Sequence, residues 1–349
     1  MILNFLSNCY KVKYLSIISL VIINLSVAKN DELLREYRVL MYAPSGWHES
    51  TGVELQTVET ILSQYRERLE DSLGVPVIHV TEEGYEFEQN DIVVQTGAWG
   101  SEMGNQFPSR SIVHPIFWDW IAPKYTYLRY LSKHNVPVLP AYHYHDGVVK
   151  DLKTNGAIDI GSVLENIEGK IVIKKCGVAG GGSGVYLLGR KDAYDFIGGL
   201  NNTHGALIQR DYSHSFSKGE YKVAINTRTG EFLGVRHIFP GKEFGTYIPA
   251  KEMPLPMRKA ALLASRAVLQ FASENGVLPP PILRVDLVRL DDDKYVVNEL
   301  EIADFVSWQW GKACINDCSV DNRVVEILRQ SVLDTAIWHE SNKCVSSEK

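Results

Sequence analysis

The chain has 349 residues, 45% hydrophobic and 22% charged, with a net charge of −6 at pH 7. That length allows roughly two or three domains with cores of their own, and the composition is ordinary for a globular protein. The acidic balance lacks the basic footprint of a nucleic-acid partner, and no internal repeat, low-complexity tract or heptad run is present.

The chain begins with a targeting pattern. Lys11 and Lys13 precede an apolar run over 14–25, and Ser26, Val27 and Ala28 follow. This predicts a secretory signal over residues 1–28, whose apolar run is too short for a comfortable membrane span. The protein would then be secretory or extracellular, with no stable span after signal removal; an uncleaved anchor or a cytoplasmic location is the other reading. On the secretory route Asn201-Asn202-Thr203 would accept a glycan. Cys9 would leave with the signal, and Cys176, Cys314, Cys318 and Cys344 form no disulfide framework. No zinc spacing surrounds Cys314 and Cys318, and whether they pair stays open.

From residue 37 the pattern turns to strand, helix, strand. YRVLMYA (37–43) reads as a buried strand, and residues 53–73 carry Val53, Leu55, Val58, Ile61, Leu62, Tyr65 and Leu69 at helical spacing. Strands follow at 76–80 and 91–97, so residues 37–118 predict a small parallel sheet covered by helices. Trp99 and Ser101 sit at the carboxyl end of the third strand, where such sheets bind ligands. Residues 120–140 predict a helix ending in a short strand. His143 and His145 share a strand face beyond it, an arrangement commoner in a hydrogen-bonded core pair than in a metal site.

IVIKKCGVAGGGSGVYLL (171–188) reads as two strands around a glycine loop. Gly177, Gly180, Gly181, Gly182 and Gly184 let backbone approach a ligand and turn N–H groups toward an anion. The run matches neither the Walker nor the dinucleotide pattern. A mobile cover over phosphates and an ordinary turn are both open readings. Lys174 and Lys175 point to opposite faces, which leaves Lys175 toward solvent. Residues 207–239 predict antiparallel strands around turns at Lys218-Gly219 and Thr229-Gly230. Residues 257–275 predict a helix capped by Gly276, and the last helix spans about 321–339. Trp118, Trp120, Trp308 and Trp310 read mainly as packing residues, the last two with an acceptor pocket as the other reading.

The most informative stretch is RVDLVRLDDDKYVVNELE (284–301), an alternating hairpin around an acidic turn. A turn centred between Asp292 and Asp293 sets Asp286 opposite Glu299, with Glu301 two residues on along the same face. Three acids on one face repel unless a cation lies among them, and hard oxygen ligands suit Mg²⁺. An acidic hairpin simply solvated on the surface is the bland alternative.

The order of these pieces, from lysine and helix through lysine-bearing strand, glycine loop and QRDY strand end to acidic hairpin, resembles the ATP-grasp superfamily. The glutathione synthetase and cycloserine-forming ligase branches are nearest, over about residues 37–310. The resemblance implies an α/β protein: an α+β ATP-grasp domain over 119–340, preceded by the small parallel-sheet domain. It implies an ATP-dependent ligase that joins a carboxylate to an amine, or a related nucleophile, through an acyl phosphate. ATP and Mg²⁺ (one ion or two, or Mn²⁺ in its place) are the implied cofactors, with small carboxylate and amine substrates as partners. Lys124 and Lys174 resemble the phosphate-contacting lysines, with Gly180, Gly181 and Gly182 in the loop above. Gln209, Arg210, Asp211 and Tyr212 resemble the hinge beside adenine, although Arg210 replaces an acid common there. Glu220 would take the ribose hydroxyls and Lys222 a phosphate. Arg236 and Arg284 resemble the arginines at the transferring phosphoryl group, and Asp286, Glu299 and Glu301 the metal ligands. For Glu220, Lys222 and the arginines, surface pairing or ion pairing with the nearby acids remains the alternative. Rival functions are a non-catalytic nucleotide-binding protein of the same fold and a small-molecule kinase. Nothing in the sequence identifies the substrates or the oligomeric state.

Overall fold

A computed structural model describes residues 32–43, 55–82, 84–96, 107–176, 184–200, 205–240, 245–290, 293–302 and 321–346. The expected signal at 1–28, Trp99, Ser101, Gly180, Gly181, Gly182, the Asn201 glycan site, Trp308, Trp310, Cys314 and Cys318 lie outside these residues. Among the described residues no helix is long and apolar enough to cross a membrane.

The chain starts as its periodicity predicts. Strands β1 (Arg38–Tyr42), β2 (Val77–Val80) and β3 (Asp91–Gln95) form a parallel sheet in the order β2-β1-β3, with helix α1 (Leu55–Leu73) crossing between the first two. The expected single helix after residue 120 is instead two, α2 (Pro115–Ile121) and α3 (Lys124–Lys133). Pro123, extended at φ −83° and ψ 98° and with no N–H to continue the helical hydrogen bonds, separates them. Lys124 therefore opens α3 rather than preceding it, and Trp120 stacks on Phe271 with ring centroids 4.3 Å apart.

An antiparallel sheet of six strands follows: β4 (Tyr142–His145), β5 (Val148–Asp151), β6 (Ala157–Ile158), β7 (Ile171–Lys175), β8 (Val185–Leu188) and β9 (Ala206–Arg210), ordered β6-β5-β4-β9-β7-β8. Helices α4 (Ile160–Asn166) and α5 (Arg190–Gly198) close its own core around Val163, Leu164, Ile171, Ile173, Ala193, Ile197 and Ile208. The short helix α6 (Ser213–Ser217) leads to a five-stranded antiparallel sheet. Its strands are β10 (Glu220–Asn226), β11 (Phe232–Ile238), β12 (Thr246–Ile248), β13 (Ile282–Arg289) and β14 (Tyr295–Glu301), ordered β12-β11-β10-β13-β14. Helix α7 (Leu255–Glu274) covers one face of it, touching β10, β13 and β14.

The largest core is continuous from the parallel sheet through α2, α3 and α7 to the five-stranded sheet. The last helix, α8 (Asn322–Ser346), packs mainly on α1 and β3, and at its start Arg323 donates to the Leu233 carbonyl of β11 at 3.2 Å. Tyr37 donates to Glu340 and Arg110 meets His339 at 3.1 Å, tying that helix to the N-terminal sheet.

Candidate functional site

A cavity of about 500 Å³ opens between the six-stranded and the five-stranded sheet. Val172 and Lys174 face it from β7, Val185 and Leu187 from the edge strand β8, and Gln209 and Arg210 from β9. Residues two apart on a strand share a face, so β7 alone changes the lining from apolar at Val172 to cationic at Lys174. Lys175, on the other face, is half-buried and partly open to solvent: its ammonium lies 5.5 Å and 5.8 Å from the ring centres of Tyr186 and Phe196. A lysine stem covers apolar surface while its charge rests on ring faces.

The segment after β9 forms the rim. Asp211 Oδ1 accepts from the Ser213 hydroxyl and from the Ser213 backbone N–H, the latter at 2.8 Å, and these bonds hold its carboxyl below the ordinary range. Its own N–H goes to the Lys170 carbonyl at 3.1 Å. The exposed Arg210 guanidinium stacks 4.5 Å above the Tyr212 ring, while Gln209 is only 3% exposed. Phe216 from α6 completes the apolar side.

The opposite wall is a charged ladder. Cross-strand register aligns Arg236 (β11), Lys222 (β10), Asp286 (β13) and Glu299 (β14) in one row, and Arg284 faces Glu301 in the next. Gly219 introduces β10 at φ +92°, where a Cβ would lie 2.2 Å from His237 Nε2, so only glycine fits this entry to Glu220.

Asp286 is fully buried. Arg284 reaches both of its oxygens, at 2.8 and 3.0 Å, and Lys222 adds a bond at 3.0 Å. Burial opposes its charge, but these two cations outweigh it and hold the carboxyl below the ordinary range. Glu299 pairs with Lys124 at 2.5 Å. Burial alone would depress the Lys124 ammonium; that carboxylate raises it instead. Among the described residues Lys174 has no such ion-pair partner: burial and the nearby Lys124 lower it to about 8. Burial raises Glu220, as does Asp286. Burial, then Glu299 and Asp286, push Glu301 to about 7 against the pull of Arg284, which lies 3.5 Å away.

The expected trio of metal ligands is therefore not gathered as a three-carboxylate group. Among the described residues no three His, Cys, Asp or Glu could hold a metal ion. Asp286 has both oxygens engaged by Arg284 and Lys222; of the trio Glu299 lines the cavity and Glu301 stands behind it. Their hard oxygens and mutual repulsion still suit a divalent cation of the Mg²⁺ kind.

Of the residues singled out in the sequence, Lys124, Lys174, Gln209, Arg210, Asp211, Tyr212, Glu220, Lys222 and Glu299 line the cavity together. Arg236, Arg284, Asp286 and Glu301 stand behind them in the ladder. His143 and His145 lie elsewhere, on β4, with His143 stacked 3.6 Å from Tyr125. Sequence reasoning missed the apolar side (Val172, Val185, Leu187, Phe216), although Val185 and Leu187 alternate on a short strand and are both exposed.

It also missed Asn298. The hairpin closes with Leu290 paired to Lys294 and Asp293 at φ +59°, half a residue from the expected centre. The register slips between Asp286 and Leu287, so that Glu299 opposes Asp286 but Val297 opposes Leu287. Asn298 is the extra residue. A regular strand would turn it away from the face of Glu299, yet both line the cavity, because a bulge re-aims a side chain.

No sequence model of a known family and no curated protein matches the chain. Solved structures do. A D-cycloserine synthetase is similar at a TM-score of 0.56 and 18% identity, over 85% of this chain and 99% of that one. The D-alanyl-alanine synthetase A of Vibrio cholerae gives 0.56 and 12%, over 86% and 99%. A RimK-domain ATP-grasp protein of Sphaerobacter thermophilus gives 0.52 and 13%, over 86% and 99%. The chain has the ATP-grasp fold. At these identities the likeness concerns architecture, and the ATP-grasp cavity between the two antiparallel sheets is the place to seek chemistry.

Proposed function

We propose that the protein is an ATP-dependent ligase that joins a small carboxylic acid to an amine or related nucleophile through an acyl phosphate, releasing ADP and phosphate. The observation that carries this reading is the polarity of the cavity, which runs from an apolar slot beside residues 209–213 to a cluster of lysines backed by acids. An adenine ring suits the slot of Val172, Val185, Leu187 and Phe216, because a flat aromatic group loses little by leaving water there. Lys124 and Lys174 hold phosphate oxygens, and Glu220 accepts from the ribose hydroxyls. Lys222 and the arginines Arg236 and Arg284 carry positive charge along the row where the transferring phosphoryl group and the acid would meet, and a fixed guanidinium fork suits that spreading charge.

Mg²⁺, when bound, would neutralise charge between the phosphates. Glu299 and Glu301 would hold it, with Asp286 keeping Arg284 and Lys222 in place behind them. Catalysis of this kind rests on positioning and electrostatics and needs no side-chain nucleophile. The similar folds of a D-cycloserine synthetase and a D-alanyl-alanine synthetase support the ligase reading.

The test is phosphate release from ATP and Mg²⁺ with pooled amino acids and short peptides, followed by mass spectrometry for a new amide. Acceptor-dependent phosphate with an amide product is expected. A phosphorylated product without an amide would make the protein a kinase. Nucleotide binding with no acceptor-stimulated turnover would leave a binding protein and defeat the proposal.

A further inference from the structure

The bulge residue Asn298 touches both walls of the cavity. Lys174 Nζ, from the six-stranded sheet, donates to its Oδ1 at 3.1 Å. Its Nδ2 donates to Glu220 Oε1, in the five-stranded sheet, at 2.8 Å. A cation that only donates and an anion that only accepts lie on either side, and a neutral amide satisfies both at once. Aspartate in its place would suit Lys174 and repel Glu220; an aliphatic side chain would leave both half-buried charges without this partner.

The bond fixes more than one carboxylate oxygen. With Oε1 held by Asn298, Glu220 keeps Oε2 on the side of Lys222, 3.7 Å away. Burial and Asp286 drive Glu220 toward its protonated form, and the Asn298 amide is one of the groups that oppose them. An ionised carboxylate with one oxygen tied and one open accepts hydroxyl donors, whereas a protonated or rotated one does so poorly.

We infer that Asn298 is a positioning residue for sugar selection: by holding Glu220 against Lys174 across the cavity, it makes the site prefer nucleotides that carry ribose hydroxyls. This rests on the nucleotide reading of the cavity. A site built to bond a hydroxyl rejects an analogue lacking it because its buried acceptor is then left unpaired.

The experiment is titration calorimetry of the full chain with ATP and with 2′,3′-dideoxyATP, each with Mg²⁺. Wild type, Asn298→Leu, Asn298→Ala, Glu220→Gln and the Asn298→Leu/Glu220→Gln double variant are compared, with thermal melting as the check on folding. Wild type is expected to favour ATP by about tenfold or more, the worth of a hydrogen bond to a charged group. Either Asn298 variant should reduce that preference to about twofold or less, mostly by weakening ATP. Adding Asn298→Leu to Glu220→Gln should cost no further selectivity, because the two act through one carboxylate; a purely structural role would give additive losses. Folded Asn298 variants that keep the wild-type preference overturn the proposal, as does a wild type that binds both nucleotides equally. A wild type that binds neither would instead overturn the nucleotide reading beneath it. If neither Asn298 variant folds, a Glu220→Gln variant that retains full selectivity also overturns it.

Discussion

The two walls of the cavity handle charge in opposite ways. Along the five-stranded sheet, Arg284, Lys222, Asp286 and Glu299, joined by Lys124 from α3, meet as ion pairs in the free protein. On the six-stranded sheet a single lysine, Lys174, projects among Val172, Val185 and Leu187, and among the described residues its hydrogen-bond acceptor is a neutral amide oxygen. The same residue type responds accordingly: Lys124 is held up by its carboxylate, while Lys174 falls to about 8. One wall is electrostatically complete before any ligand arrives, and the other becomes complete only with an anion beside it. Removing the buried Asp286 from the first wall should therefore damage the fold, whereas removing a lysine that faces the cavity, Lys124 or Lys174, should mainly damage binding.

The strongest way to break this contrast is Asp286→Asn. Arg284 and Lys222 would remain with no full carboxylate at 0% exposure, and losing one partner of a buried pair costs about 3–5 kcal/mol. Urea denaturation should show a loss of that size, and a loss below about 1 kcal/mol would mean that the first wall does not depend on its internal pairing.

Next in size is Lys124→Met. Its Glu299 pair is partly exposed, so stability should fall by no more than about 1 kcal/mol. Affinity for ATP in calorimetry should fall about 10- to 100-fold, the worth of a charged hydrogen bond to phosphate. An unchanged affinity would remove Lys124 from the phosphate site.

Acidity sharpens the contrast at Lys174. Its ammonium ionises at about 8 in the folded chain against an ordinary 10.5. Between those values the unfolded chain binds more protons, so stability should rise with pH from about 8 to 10.5, and Lys174→Met should abolish the rise. Phosphate favours the charged lysine, so ATP affinity should be greatest below pH 8 and fall by up to about tenfold per unit above it. Binding near pH 8 should take up protons, seen as a heat that differs between buffers of unlike ionisation enthalpy. Lys174→Arg, charged throughout, should bind with no such dependence, and a pH-independent wild type would contradict the assignment.

The smallest effect belongs to the rim. Arg210 is exposed and rests on Tyr212, a contact worth about 0.5–1 kcal/mol. Arg210→Ala should change ATP affinity by less than about threefold.

Much of this architecture is legible in the chain itself. Apolar runs place β1 and β3 because both faces of those strands are buried, helical spacing places α1 by its one buried face, and strand alternation pairs Asp286 with Glu299. It fails at Asn298, since a period of two admits no extra residue, and a bulge is a tertiary choice. The helix α6 escapes because its five residues, SHSFS, carry no apolar stripe. Lys175 was expected in solvent because alternation gives its side of the sheet but not what α5 and β8 place there. The apolar side of the cavity stayed hidden for a similar reason: Val172 and Phe216 read as core until the second sheet leaves a gap beside them. Three acids on one face were legible, but how closely cations would bind them was not, because Lys124 and Lys222 approach from other elements.

The closure of the first sheet by the last helix has a consequence for biogenesis. Tyr37 and Glu340, partners across 303 positions, cannot meet until the whole stretch between them has left the ribosome. Strands β1 to β3 are made early and then wait, with β3 and α1 missing their cover, while everything between is synthesised. Folding cannot proceed strictly from one end to the other, and the nascent protein passes through a long interval in which apolar surface is open to chaperones or to misassembly.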